Sequence, residues 1–599
     1  DLPCEVILYI LEFYEFPLHR YLFLLDSNQN GEDSPAVSAT SPRTTSCNEF
    51  AKLLYGCFSS PNSDTRKEKR QIYLIFSYIE FRANNIRNVC DSTGKFITLE
   101  TPVLKQVTPF RHVKGFDISH VETLYCFNIN ENLLYNFANT PALSLVCCNF
   151  EYNKLFHDGG IALLVSKCPN IERINVSKTS VTYSGLLSIV KHLSNLRELR
   201  ANHLVNNAQK SGVNSEEELQ EAQEAVFQYM ASPTKVTKLE KLELKRCTCT
   251  DDQIDLLLKS DKLQKLDISF CNWLTNRAFQ RVRHCRNLKW LDLSFTELDM
   301  EIVKSLAENG SIEYLWMDSC SLGEVEMTTL LANSSNICRS LKHIALSRNR
   351  EIEGNYKTTL GNLTRLESMD LSFICMHGDF IKYMRSEHLR HLDLHRCSLR
   401  DEDAKLLFMK KSIKSLDLSS NRFVDATLFS FFSLMNVTIQ TLNLSKSFHI
   451  HNREKRLQAI TELMKHSSLT DFDFCGNMLT DEEAKILLRS TSLKRLNISN
   501  NFLNGECLTE LRYDDSDQRL PSLNWLDMSN QHYDIKQDIL VECLLRSQEA
   551  HDIGYGLQHF SFTDQYLDNK IRSIIINQCT KITELFIARD EGILNIHLN

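Results

Sequence analysis

Leu239-Glu-Lys-Leu242-Glu-Leu244-Lys-Arg-Cys247 decides the fold, because the chain keeps returning to the same phrase. It comes back as Leu263-Gln-Lys-Leu266-Asp-Ile268-Ser-Phe-Cys271, as Leu288-Lys-Trp-Leu291-Asp-Leu293-Ser-Phe-Thr296 and as Leu389-Arg-His-Leu392-Asp-Leu394-His-Arg-Cys397. Later copies read Ile413-Lys-Ser-Leu416-Asp-Leu418-Ser-Ser-Asn421 and Leu493-Lys-Arg-Leu496-Asn-Ile498-Ser-Asn-Asn501. Copies start at 239, 263, 288, 312, 341, 366, 389, 413, 439, 469, 493 and 523, so the gaps run from 23 to 30 residues. Self-similarity at such a period marks an array whose units are each too small to bury an apolar face and therefore stack on one another.

The wording Leu-x-x-Leu-x-Leu-x-x-Asn/Cys resembles the leucine-rich repeat. That resemblance implies an α/β solenoid, a horseshoe with parallel strands on the concave face and helices outside. Segments such as Asp401-Glu-Asp-Ala-Lys-Leu-Leu-Phe and Thr480-Asp-Glu-Glu-Ala-Lys-Ile-Leu-Leu supply the outer helices, since Asp or Thr before an acidic first turn suits a helix start. Copies ending in Cys resemble the cysteine-containing type, while Asn349, Asn421, Asn477 and Asn501 make the array mixed.

At 599 residues the chain exceeds one ordinary core, and an array accounts for the excess. Hydrophobic content of 42% and charged content of 24% are globular values. A net charge of −8 over this length argues against a dedicated nucleic-acid surface. No apolar run is long enough to span a bilayer, no basic leader opens the chain, and neither membrane nor secretion is expected. The 20 cysteines include no Cys-x-x-Cys pair. Cys247, Cys271, Cys320 and Cys397 end a phrase, and Cys168, Cys285, Cys338 and Cys579 stand three residues before one. Thiols locked to repeat phase read as buried small hydrophobes, which suits a cytoplasmic or nuclear protein.

The first stretch differs in kind. Leu2-Pro3-Cys4-Glu5 leads into an apolar helical stripe of Val6, Ile7, Ile10, Leu11 and Tyr14, with further short helices at 18–25 and 48–58. These residues, with Cys47-Asn-Glu-Phe50, resemble an F-box. Phe50 stands where that family more often has Trp, and residues 26–46 form a polar insertion expected to be disordered. The expected organisation is an F-box-like domain over 1–58, a helical linker over 59–95 and a repeat array over 96–599. The linker includes a helix at 66–80. The array has about 18 turns, with a divergent copy at Leu143-Ser-Leu-Val146-Cys-Cys148, and a helical insertion near 205–236 begins at Ser215-Glu-Glu-Glu218. The F-box resemblance implies a substrate-recognition subunit of an SCF-type ubiquitin ligase. Leu2, Pro3, Ile7, Ile10 and Leu11 would bind the adaptor, and through it the cullin complex. The alternative is a plain interaction scaffold whose first helices only cap the solenoid.

Strand alternation nominates the side chains that face outward from the sheet. The middle position carries Asp267, Asp292, Asp370, Asp393, Asp417, Asp473 and Asp527, a ladder that could select a basic partner or simply bond neighbouring backbone. Trp290, Tyr314, Trp316, His343, His391, His395 and Trp525 are the candidate contacts for a protein partner, because tryptophan and tyrosine dominate binding hot spots. His391, Asp393 and His395 share one strand face, yet side chains spaced two apart do not converge, so no metal is expected. No phosphate loop, dinucleotide fingerprint or nucleophile elbow occurs, so neither an enzyme nor a cofactor is expected.

Overall fold

A computed structural model describes residues 71–75, 88–90, 96–98, 123–127, 143, 145–154, 156–204, 216–232, 238–352, 355–375, 378–425, 427–428, 438–465, 468–511, 522–550, 556–562, 584–589 and 592–596. The F-box-like stretch, with Leu2, Pro3, Ile7, Ile10, Leu11 and the 26–46 insertion, lies outside the described residues. The chain divides into two compact units, with the repeats parting between Ile312 and Glu313.

In the first unit the strands Thr123–Phe127, Cys147–Asn149, Arg173–Asn175, Glu198–Arg200, Lys241–Glu243, Lys265–Asp267 and Trp290–Asp292 pair in sequence order, all parallel. Register sets one phrase leucine beside the next, as in Leu199, Leu242, Leu266 and Leu291. All four are fully buried, and this continuous apolar row is the core. The second unit repeats the scheme from Tyr314–Trp316 through His343–Ala345, Ser368–Asp370, His391–Asp393, Ser415–Asp417 and Thr441–Asn443. It continues through Asp471–Asp473, Arg495–Asn497, Trp525–Asp527, His559–Ser561 and Glu584–Arg589, the last also pairing antiparallel with Gly592–Ile596.

Helices fill the return path of most turns. Thr250 caps the helix Asp251–Leu257, accepting from the Gln253 N–H while Gln253 Oε1 accepts from the Thr250 N–H. The first helical Asp also ties successive turns together. Asp158 accepts from the N–H and hydroxyl of Thr182 at 2.7 and 2.5 Å, and Asp251 does the same for Thr275 at 2.8 and 2.5 Å. Asp481 likewise accepts from the Asn504 and Cys507 N–H groups.

The turn residues are equally regular. Asn421 Nδ2 donates to the carbonyls of Leu394 and Leu418, both at 2.9 Å, while its Oδ1 accepts from the N–H groups of Cys397 and Leu399. Asn349 and Asn501 do the same one turn apart from their own neighbours. Where Cys replaces Asn, its thiol is fully buried and donates back to the preceding turn, as from Cys247 to Ala201 at 3.1 Å and Cys397 to Leu371 at 3.1 Å. Burial pushes both thiols up to about 12, so they stay protonated. The 14 cysteines from Cys147 to Cys543 are all free.

Three expectations change. The helix expected at 66–80 holds instead a strand, Gln71–Ile75, parallel to Thr123–Phe127. The expected helical linker also contains the strand Asn88–Cys90, which pairs antiparallel with Phe96–Thr98 just beyond it. Gln-Ile-Tyr-Leu-Ile is a short apolar run, for which periodicity alone cannot separate helix from strand. The phrase placed at Leu143 begins at Leu145: Leu145, Cys148 and Phe150 are buried, whereas Leu143 is 59% exposed. A slip of two residues keeps the same side-chain alternation and is therefore silent in the pattern. Not every turn has an α-helix on its outer side either. Asn355–Asn362 and Gly378–Tyr383 are 3-10 segments, where Thr358, Thr359 and glycines weaken α-helix formation in short spans.

The long excursion between 196 and 239 holds a helix where its Ser215-Glu-Glu-Glu218 start places one. Its helix, Glu216–Ala231, packs in the outer layer against Tyr183–His192 and Asp251–Leu257, burying Val226, Phe227 and Met230. Glu198–Arg200 pairs directly with Lys241–Glu243, so the excursion does not interrupt the sheet.

Candidate functional site

The sheet face opposite the helices is where the phrase positions side chains that the core does not need. In the first unit this surface is a lattice of ion pairs. Lys265 Nζ lies 2.7 Å from Glu243, Arg200 bridges Glu198 at 2.7 Å and Glu243 at 3.6 Å, and Lys241 approaches Glu198 at 3.6 Å. Trp290 stands beside Lys265 in register, with the ammonium 4.1 Å from its ring centre. That cation covers one face of the ring, an arrangement favourable when partly desolvated.

Two residues of the acidic ladder are internal, Asp267, only 1% exposed, and Asp292, while the other five are half-buried. Lys245 serves both, at 3.1 and 3.7 Å. Burial, with the Asp292 carboxylate close by, raises the Asp267 carboxyl to about 6 despite Lys245. Every Asp of the ladder accepts the N–H two residues on: Ser269, Ser294, Ser372, His395, Ser419, Cys475 and Ser529 are the donors, at 2.8–3.2 Å. The wording Leu-Asp-Leu-Ser therefore closes the strand end as an Asx turn. Asn443 and Asn497 do the same for Ser445 and Ser499.

In the second unit, Tyr314, Trp316 and His343 come together. The Tyr314 and Trp316 rings lie 6.3 Å apart and nearly parallel, and Trp316 covers the His343 imidazole at 4.4 Å. Ala345, in register beside Trp316, is small enough to leave room for the indole. His343 Nε2 is buried and has no hydrogen-bond partner among the described residues, and burial holds the imidazole below its ordinary pKa. His391 is exposed on the same row. His395 turns aside, its Nδ1 2.6 Å from Ser419 Oγ and its ring edge-on to Phe373 at 4.8 Å. Trp525 forms a separate stack, with His559 at 4.7 Å on one side and the Arg495 guanidinium at 5.0 Å on the other. Among the described residues no three His, Cys, Asp or Glu side chains gather as a metal site. No helix among them is long and apolar enough to cross a membrane.

One row escaped the reading of the phrase. The residue just before the last position of the phrase, which is Cys or Asn in many turns, adopts a left-handed backbone in turn after turn. These residues are Tyr152, Lys178, His203, Arg246, Phe270 and Phe295 in the first unit, and include Arg348, Phe373, Arg396 and Lys446 in the second. Non-glycine residues adopt this backbone at a cost, which the fixed turn geometry imposes here. Sequence alone could have exposed the row: the position always precedes the last residue of the phrase, and no described copy has an acidic residue there.

A family model described as Leucine Rich repeat matches residues 385–408, the turn that holds His391 and His395. Among solved structures, the chain is similar to one of a TLR13–ssRNA13 complex, at 14% identity and a TM-score of 0.43. It covers 80% of this chain and 62% of that one, so the chain spans less than two thirds of that molecule. It is also similar to the yeast Rad7 and Elc1 complex, at 16% identity, a TM-score of 0.38 and coverage of 66% and 83%. An internalin from Listeria monocytogenes is similar at 14% identity, a TM-score of 0.29 and coverage of 74% and 92%. Phrase, parallel ladder and outer helices agree: by fold the chain is a leucine-rich-repeat solenoid.

Proposed function

We propose that this chain is a substrate-recognition subunit of an SCF-type ubiquitin ligase. The observation that carries the proposal is the F-box-like phrase, Leu2-Pro3-Cys4-Glu5 with Ile7, Ile10 and Leu11, on the same chain as a leucine-rich-repeat array. Those residues dock the ligase adaptor and, through it, the cullin complex. The array is an interaction scaffold. Its open face holds a protein substrate, with Trp290, Tyr314, Trp316, His343, His391, His395 and Trp525 as contacts. The half-exposed tryptophans support this placement, since each keeps a ring edge or face available after its neighbour has packed. The chain performs no covalent chemistry itself in this scheme. It supplies proximity and orientation for transfer by the ligase's conjugating enzyme. Buried, protonated thiols suit a reducing cytoplasm or nucleus.

The test is ligase activity recovered with the chain. Intact protein isolated from cells and supplied with ubiquitin, activating enzyme and conjugating enzyme should assemble ubiquitin chains. The Leu2→Ala/Pro3→Ala variant should assemble none. Equal activity from both, or none from either, would reject the ligase reading.

A further inference from the structure

The left-handed row in the second unit carries a cation–aromatic–cation group. Arg348, Phe373 and Arg396 end three consecutive strands, so Phe373 has one arginine on each side. The guanidinium carbons lie 4.8 Å (Arg348) and 5.7 Å (Arg396) from the Phe373 ring centre. All three backbones are fixed, because their N–H groups donate to the carbonyls of Ser372, His395 and Ser419 at 2.8–3.0 Å. His395 closes the underside of the ring, edge-on at 4.8 Å.

Some neighbouring cations are matched, as Lys342 is by Glu313 at 2.6 Å and Arg495 by Asp471 at 3.6 Å. Arg348 and Arg396 are both exposed, and no carboxylate among the described residues lies within ion-pair distance of either. Two exposed guanidiniums carried on fixed backbone, one on either side of an aromatic ring, suit an anionic ligand with an apolar centre.

Spacing selects the ligand's backbone. Adjacent parallel strands lie about 4.8 Å apart, so residues two strands apart are separated by about 9.6 Å. A polyproline II segment rises about 3.1 Å per residue with three residues per turn, so side chains three apart share a face at about 9.3 Å. A β-strand places residues three apart on opposite faces and cannot present both charges. We propose that Arg348, Phe373 and Arg396 form a docking site for an acidic polyproline II segment of a partner protein. In that segment, Asp or Glu side chains three residues apart meet the two guanidiniums on either side of Phe373. The site goes beyond the ligase reading, and it stands whether or not the chain joins a ligase.

The probe is a fluorescent peptide of three Glu-Pro-Pro repeats, titrated into the full chain by polarisation. Binding should weaken as salt rises and should be lost when Gln replaces Glu. It should also weaken when an added proline spaces the Glu residues four apart. Arg348→Gln with Arg396→Gln should weaken it by about tenfold or more, as should Phe373→Ala. Lys446→Gln, at the same left-handed position but outside the group, should leave it unchanged, and unaltered circular dichroism melting would show that the variants fold. Absence of binding to the intact chain, or equal binding by the double variant, would overturn the proposal. So would capture of a poly(U) oligonucleotide through these arginines while the peptide is ignored.

Discussion

Asn421 shows how much one residue holds. Its amide satisfies two carbonyls and two N–H groups, from its own turn and the one before it. An alanine leaves these buried groups unpaired, and an unmatched buried polar group costs roughly 1–3 kcal/mol. Asn421→Ala should therefore destabilise the protein by about 3 kcal/mol, read as a lowered urea midpoint. Arg422→Ala, one residue on and exposed, should stay within about 0.5 kcal/mol. A small effect for Asn421→Ala would mean the asparagines are not what fixes the turns. This role was legible in the sequence, because Asn recurs at one phase and only a turn needs it there. The fate of the outward Asp residues was half legible. Their spacing placed them on the open face, but Leu-Asp-Leu-Ser does not reveal that each carboxylate is already occupied by the next N–H but one.

At the scale of elements, neighbouring strands place like side chains side by side, and this has a cost in the acidic row. Asp370, Asp393 and Asp417 stand in register on consecutive strands. Burial first, and then its two neighbours, lift the Asp393 carboxyl to about 7 from an ordinary value of 3.8, although the His395 N–H pulls the other way. The unfolded chain gives up this proton near pH 4, whereas the folded chain keeps it to about 7. Between those values the folded state binds more protons, so this group's contribution to stability falls as pH rises through the window. Asn443 and Asn497 fill the same position without charge, so Asp393→Asn keeps the turn bond and removes the penalty. The variant's melting temperature should exceed the parent's by a few degrees at pH 8, with the difference shrinking toward pH 4. A constant difference across that range would refute the assignment. Sequence showed the row but not its depth, since burial is set by how closely the turns stack. The aromatic contacts were hidden for the same reason. Trp316 reaches His343 diagonally across two strands, and Phe373 meets arginines from either side, which only the register reveals.

For the molecule as a whole, a dozen in-phase copies of one phrase are enough to name the fold, because no other architecture buries leucines at that period. The divergent copies before residue 196 were harder. Leu143 and Leu145 fit the same alternation, and Gln71–Ile75 is too short to announce whether it is helix or strand. Function is a separate matter, since the repeats make a surface while the proposed connection to ubiquitin transfer rests on Leu2, Pro3, Ile7, Ile10 and Leu11. Titration of the purified ligase adaptor into the full chain, followed by calorimetry, tests that connection most directly. The account predicts one adaptor bound per chain, and loss of that binding in Leu2→Ala/Pro3→Ala with melting unchanged. No heat of binding to the intact chain, or equal binding by the variant, would contradict it.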